Sequence, residues 1–160
     1  MTQPDLEVAY RQHAERLGLV TLAWGNVHSI IFGIFSYLCE MKGRKAEAIF
    51  FSLKSDASQR DITLALIEEC LSDPLRNKAS KLFGRISGLS GERNLAIHTM
   101  WATLMPDNKI VPNPSIKPPK ALQENFAEQF KSLEERITKM FRELLILWQE
   151  IIDERGTAKA

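Results

Sequence analysis

Apolar residues in the first forty positions fall at alternating steps of four and three, at Leu6, Tyr10, Leu17, Val20, Trp24, Val27, Ile31, Ile34 and Leu38, with His13 in the one gap. That spacing predicts a single stripe on one long helix. Ile30, Phe32 and Phe35 widen the stripe in its second half, so the helix should be buried there on more than one side, as the spine of a bundle. Gly18, Gly25 and Gly33 lie near one face, and each costs up to about 1 kcal/mol relative to alanine in a helix interior. Close approach of another helix would offset that cost.

Lys42, Gly43 and Arg44 suit a glycine C-cap and a turn, and Ala46 to Leu53 is too short and irregular to assign. Asp56 or Ser58 can cap a second helix through Ile62, Leu64, Leu66, Ile67 and Leu71. Ser72, Asp73 and Pro74 then read as the start of a third, carrying Leu75, Leu82, Phe83 and Ile86 and closing near Gly88 to Gly91. A fourth is expected from about Glu92 to Leu104, with Leu95, Ile97, His98 and Trp101. Pro106, Pro112, Pro114, Pro118 and Pro119 crowd into fourteen residues, which forbids regular helix and predicts a loop. From Lys120 to about Asp153 the four-three pattern returns at Leu122, Phe126, Phe130, Leu133, Ile137, Met140, Leu144, Leu147 and Ile151, with a stop at Gly156. The expected fold class is all-α: an up-and-down bundle of four to five helices with long first and last members, forming one domain over residues 1–160.

Composition adds limits to this picture. The formal charge is +1, so any attraction for a polyanion must come from a local patch. Residues 1–73 carry a net −3 and residues 121–160 a net −2, whereas the stretch between them carries +6. Its cations are Arg76, Lys78, Lys81, Arg85, Arg93, Lys109, Lys117 and Lys120. Such residues either form a solvated face or meet a polyanionic ligand. Cys39 and Cys70 have neither the spacing of a zinc site nor the density of a secreted scaffold, and they read as buried small residues in a reducing compartment. Residues Met1 to Glu7 lack the marks of a signal peptide, so the expected location is cytoplasmic. The 23 uncharged residues between Arg16 and Glu40 are long enough to cross a bilayer. Gly25, Asn26, His28 and Ser29 in their middle argue against stable membrane insertion.

One motif carries candidate chemistry. Gly91, Glu92, Arg93, Asn94, Leu95, Ala96, Ile97, His98, Thr99, Met100 and Trp101 place an arginine and a histidine five apart, with Asn94 beside the arginine. This arrangement resembles the HEPN family (higher eukaryotes and prokaryotes nucleotide-binding), whose ribonuclease members carry Arg, four to six residues, then His. The long opening helix with Trp24, the hairpins before the motif and the long closing helix extend the resemblance over roughly residues 5–153, with 93–98 its specific part. It implies a bundle that forms a homodimer in which two such motifs face one another in a composite, metal-independent ribonuclease site, with no cofactor. Arg93 and His98 take the motif positions and Asn94 the polar position beside the arginine. The family also holds members that have lost catalysis and act as binding or regulatory modules.

The residues suit this chemistry on their own terms. Cleavage through the RNA 2′-OH needs a base, an acid and charge stabilisation at phosphorus. Histidine titrates near neutral pH, and the arginine fork matches phosphate oxygens. On one helix Arg93 and His98 stand about 140° apart in azimuth and about 7.5 Å apart along the axis, so a second copy gives a way to gather two imidazoles around one phosphate. Asn94 and His98 share a face. The expectation is an endoribonuclease, of toxin or defence type with an antitoxin partner, leaving 2′,3′-cyclic phosphate and 5′-OH ends. Arg76, Lys81 and Arg85 would contact the RNA backbone. The alternative is a non-catalytic dimeric module that binds nucleotide, nucleic acid or a partner protein. At residue level, His98 also reads as a hydrogen-bonded boundary residue and Arg93 as a cap or a partner of Glu92. Trp101, His13 and His28 read as core or interface groups.

Overall fold

The computed structural model describes residues 3–41, 43–104, 109–113 and 126–157. Their chain order is α1 (Gln3–Leu38), α2 (Arg44–Phe50), α3 (Asp56–Cys70), α4 (Asp73–His98), β1 (Trp101–Leu104), β2 (Lys109–Pro112) and α5 (Phe126–Thr157). The fold class is the all-α helical bundle that the apolar periodicity implies, with one two-stranded hairpin added. The described residues of Met1–Ala23 and Leu89–Ile137 form one compact unit, and those of Trp24–Gly88 and Thr138–Ala160 form a second.

In the second unit, Trp24, Val27, Ile31, Ile34, Phe35 and Leu38 on α1 are buried with Met140, Leu144, Leu147 and Ile151 on α5. At Gly33 the Trp148 ring of α5 fills the space a side chain would need: a Cβ there would stand 2.8 Å from Cη2 of Trp148. The expected reason for an intrahelical glycine therefore holds at Gly33, whereas a Cβ at Gly18 or Gly25 would meet nothing within 4 Å. The unassigned stretch after α1 folds as α2, whose Phe50 is fully buried and packs on Phe32, Phe35 and Phe51 with ring centroids 5.2 Å away in each case. Ser55 caps α3 by accepting from the Ser58 backbone N–H at 3.1 Å. Buried Gln59 donates to the carbonyls of Phe50 and Leu53, which fixes the turn between α2 and α3. Cys39 and Cys70 are free thiols and only half-buried, short of full burial.

α4 corrects the expected boundaries. It does not close at Gly88 to Gly91 but runs on to His98, so the expected third and fourth helices are one. Leu82, Phe83, Ile86, Leu89, Ser90 and Ala96 keep one face buried through the glycines, and that burial outweighs about 1 kcal/mol per glycine. The helix also stops before Leu104. Thr99 makes a last helical backbone bond to Leu95, and the chain then enters β1, where Trp101 pairs with Pro112 and Leu104 with Lys109. Pro112 therefore lies at the end of a strand, where its missing N–H is tolerated. The other prolines of the expected loop, Lys42, and the expected start of the last helix at Lys120 lie outside the described residues. α5 continues past Asp153 and through Gly156.

Two cations from the middle of the chain meet acids from α5, and one mid-chain acid meets an α5 base. In the second unit Lys78 pairs with Glu150 at 2.6 Å and Arg85 pairs with Glu143 through two bonds of 2.6 and 3.0 Å. Ser72 bonds Glu154 through both its backbone N–H and its hydroxyl. In the first unit Arg136 makes a two-pronged pair with Glu92. Ascending α4 meets descending α5 at steps of seven on both helices, the spacing of flanking charges in an antiparallel coiled coil. We expect Gly25→Ala to raise stability by up to about 1 kcal/mol and Gly33→Ala to lower it by about 1–3 kcal/mol, read from denaturation midpoints. Equal tolerance of the two substitutions would contradict the close approach at Trp148.

Candidate functional site

Arg93, Asn94 and His98 occupy the last turns of α4, and His98 is its final residue. Asn94 and His98 are exposed, and their spacing of four puts them on one face of the helix. Arg93 is half-buried, and its Nη1 donates to Asn94 Oδ1 at 2.7 Å. The structure therefore brings Arg93 and Asn94 together and gives the guanidinium a neutral partner. Glu92 does not pair with Arg93; its carboxylate turns to Arg136 on α5.

The Arg136 hydrogen bonds hold the Glu92 carboxyl below its ordinary value of 4.5; burial opposes this shift and the Arg136 charge reinforces it. One residue ahead of the motif, α4 is thereby tied to α5. Behind the motif, Asn113 N–H donates to the Met100 carbonyl at 2.7 Å and closes the base of the hairpin. Trp101 packs edge-on against His13 at 4.4 Å and lies 5.6 Å from Phe130, so it is a packing aromatic. Tyr10 and Thr103 share a hydroxyl–hydroxyl bond of 2.8 Å between α1 and β1.

The expected RNA-backbone residues lie in the second unit and differ among themselves. Arg76 donates to the Leu71 carbonyl and lies 3.4 Å from Asp73. Arg85 is held by Glu143, whose hydrogen bonds raise the arginine's pKa while holding the carboxyl below its usual range. Lys81 is exposed, with no ion pair among the described residues. Of the three, Lys81 is the one that keeps its charge uncompensated by a neighbour. Residue counts by segment could not show this for Arg85, because the acid that holds it lies 58 residues away on α5. The signal available in the sequence was the shared step of seven in Lys78, Arg85 and Glu92 and in Arg136, Glu143 and Glu150.

His28 and Asp56 form a separate polar cluster in the second unit. The Trp24 indole donates to Asp56 at 3.0 Å, and His28 Nε2 lies 3.6 Å from the other carboxylate oxygen. No group of three or more His, Cys, Asp or Glu side chains suited to a metal ion occurs among the described residues. No protein-family model, curated protein or solved structure matches the chain.

The Glu92 carboxyl has a folded pKa below its unfolded one, so its pair with Arg136 contributes stability above about pH 4.5 and loses it as pH falls through the folded value. Both side chains are about half exposed, which limits the contribution to roughly 1 kcal/mol or less. We expect Glu92→Gln to lose that increment at neutral pH and to flatten the acid limb of the stability profile. An unchanged acid limb would contradict the assignment.

Proposed function

We propose that the chain is a metal-independent endoribonuclease of HEPN type, with two copies each contributing Arg93, Asn94 and His98 to one site. The observation that carries this reading is the presentation of Asn94 and His98 on one exposed face of a helix terminus, with Arg93 anchored beside them by a neutral amide. In the proposed reaction one His98 removes the proton from the 2′-OH, and the 2′-oxygen forms a bond to phosphorus. The bond from phosphorus to the 5′-oxygen breaks, and the partner copy's imidazolium protonates that leaving oxygen. Arg93 stabilises the charge on the non-bridging oxygens, and Asn94 fixes the guanidinium fork. The products are a 2′,3′-cyclic phosphate and a 5′-OH.

A second reading is a dimeric module that binds without cleaving. The engagement of Arg76 and Arg85 in intramolecular contacts leaves fewer cations for a long polyanion and, within that reading, favours a nucleotide or a partner protein as the ligand. The two readings separate in one assay. Purified protein incubated with total tRNA in excess EDTA should generate new cyclic-phosphate ends. His98→Ala and Arg93→Ala should lower the rate by about 100-fold or more, and Asn94→Ala by less. Equal cleavage by wild type and all three variants overturns the catalytic assignment, and salt-sensitive retention without new ends supports the binding module.

A further inference from the structure

His13 is the histidine that the proposed chemistry does not use, and its surroundings are unusual for an imidazole. Its ring centroid lies 4.4 Å from that of Trp101 and 5.6 Å from that of Phe130, with interplanar angles of 64° and 65°. Its Nε2 is sealed from solvent and meets no hydrogen-bond partner among the described residues. A neutral ring satisfies this arrangement by carrying its single proton on Nδ1 and leaving Nε2 bare. A second proton would have to sit on Nε2, giving a buried donor without an acceptor next to a new charge.

We infer that His13 is a positioning residue that latches the β1–β2 hairpin onto α1 and α5 in its neutral form and releases it when protonated. The latch has two parts: the edge-on contact of His13 with Trp101, and the Tyr10–Thr103 bond one turn earlier on α1. Trp101 follows His98 by three residues, so the latched hairpin fixes the direction in which the chain leaves α4. The charged neighbour on α1 is Arg16, which opposes protonation. β1 contributes Trp101 and Thr103, and α5 contributes Phe130, none of them charged. Glu15, Glu128, Lys131 and Glu134 line the adjoining groove with Arg16 and Phe130. Attraction between an imidazolium and the two aromatic rings offsets part of the penalty. Burial, followed by the charge of Arg16, sets the balance and lowers the His13 pKa from 6.5. The latch is thus closed above the ordinary histidine range and opens as pH falls through the lowered value.

The consequence for cleavage rests on the function proposed above; the latch itself does not. Amide hydrogen exchange of residues 101–104 and 109–112, expressed as protection factors to remove the intrinsic pH dependence, tests it between about pH 7.5 and about pH 5.5. Wild-type protection should fall several-fold toward the acid end, and in His13→Gln and His13→Leu it should stay flat. The indole N–H resonance of Trp101 in the wild-type protein should titrate together with the His13 ring, which covers the case in which a variant folds poorly. Hairpin protection that is independent of pH in the wild type, or that falls equally in both variants, overturns the latch, as does a Trp101 resonance that ignores the His13 titration. With RNA as substrate, the acid limb of kcat should shift to lower pH in His13→Gln. If no form cleaves RNA, the nuclease reading fails while the exchange data still decide the latch.

Discussion

Burial of one apolar seam on α5 is the constraint from which the other features follow. Phe130, Leu133, Ile137, Met140, Leu144, Leu147 and Ile151 are all buried, at alternating steps of three and four. Removing seven large side chains from water supplies a driving force of roughly 1.5–3 kcal/mol each before conformational entropy is counted. A seam that repeats every seven residues also fixes what flanks it. The acids Glu143 and Glu150 and the base Arg136 stand beside it at the same step and meet Arg85, Lys78 and Glu92 on α4. Salt bridges of this exposure add little stability individually, but they disfavour a shifted register, because sliding one helix by a turn would separate every pair.

That register bears directly on the candidate chemistry. α4 is continuous through Gly88 and Gly91 to its last turns, where Arg93, Asn94 and His98 stand. The pair between Glu92 and Arg136 fixes the helix just before the motif, and the Trp101 hairpin fixes the chain just after it. The same ladder consumes cations that a chain-segment charge count assigns to a polyanion. Of the five cations on α4, Lys78 and Arg85 belong to the ladder, Arg76 is held by the Leu71 carbonyl and Asp73 beside it, and Lys81 and Arg93 lie outside both arrangements.

The long helices were legible because their apolar periodicity is strong, and on α1 burial follows it from Val20 onward: Val20, Val27, Ile31 and Ile34 are fully buried, whereas Leu6 and Leu17 are half-buried and Tyr10 is exposed. The motif was legible as a spacing, and the exposure of Asn94 and His98 on one helical face agrees with their separation of four, with Arg93 half-buried beside them. Other features depended on contacts distant in sequence. Leu95, Trp101 and Leu104 continue a helical pattern on paper, but Trp101 gains more by turning onto His13 and Phe130, so a hairpin forms where a helix was expected. Gly88 and Gly91 read locally as a stop and are overridden by the buried face on either side of them. The ladder was hidden because each of its members pairs with a residue in another helix, and a count of charge by segment discards that information.

α4 runs unbroken through its glycines, and within each unit its charged positions pair with those of α5, as far as the residue before the motif. Spin labels placed pairwise at Lys78/Glu150, Arg85/Glu143 and Glu92/Arg136, with Cys39 and Cys70 replaced by serine, measure this arrangement most directly. Three narrow, short and closely matching distance distributions are expected. A Glu92/Arg136 distribution that is longer or much broader than the other two would show that α4 breaks at its glycines and that the charged ladder stops short of the motif.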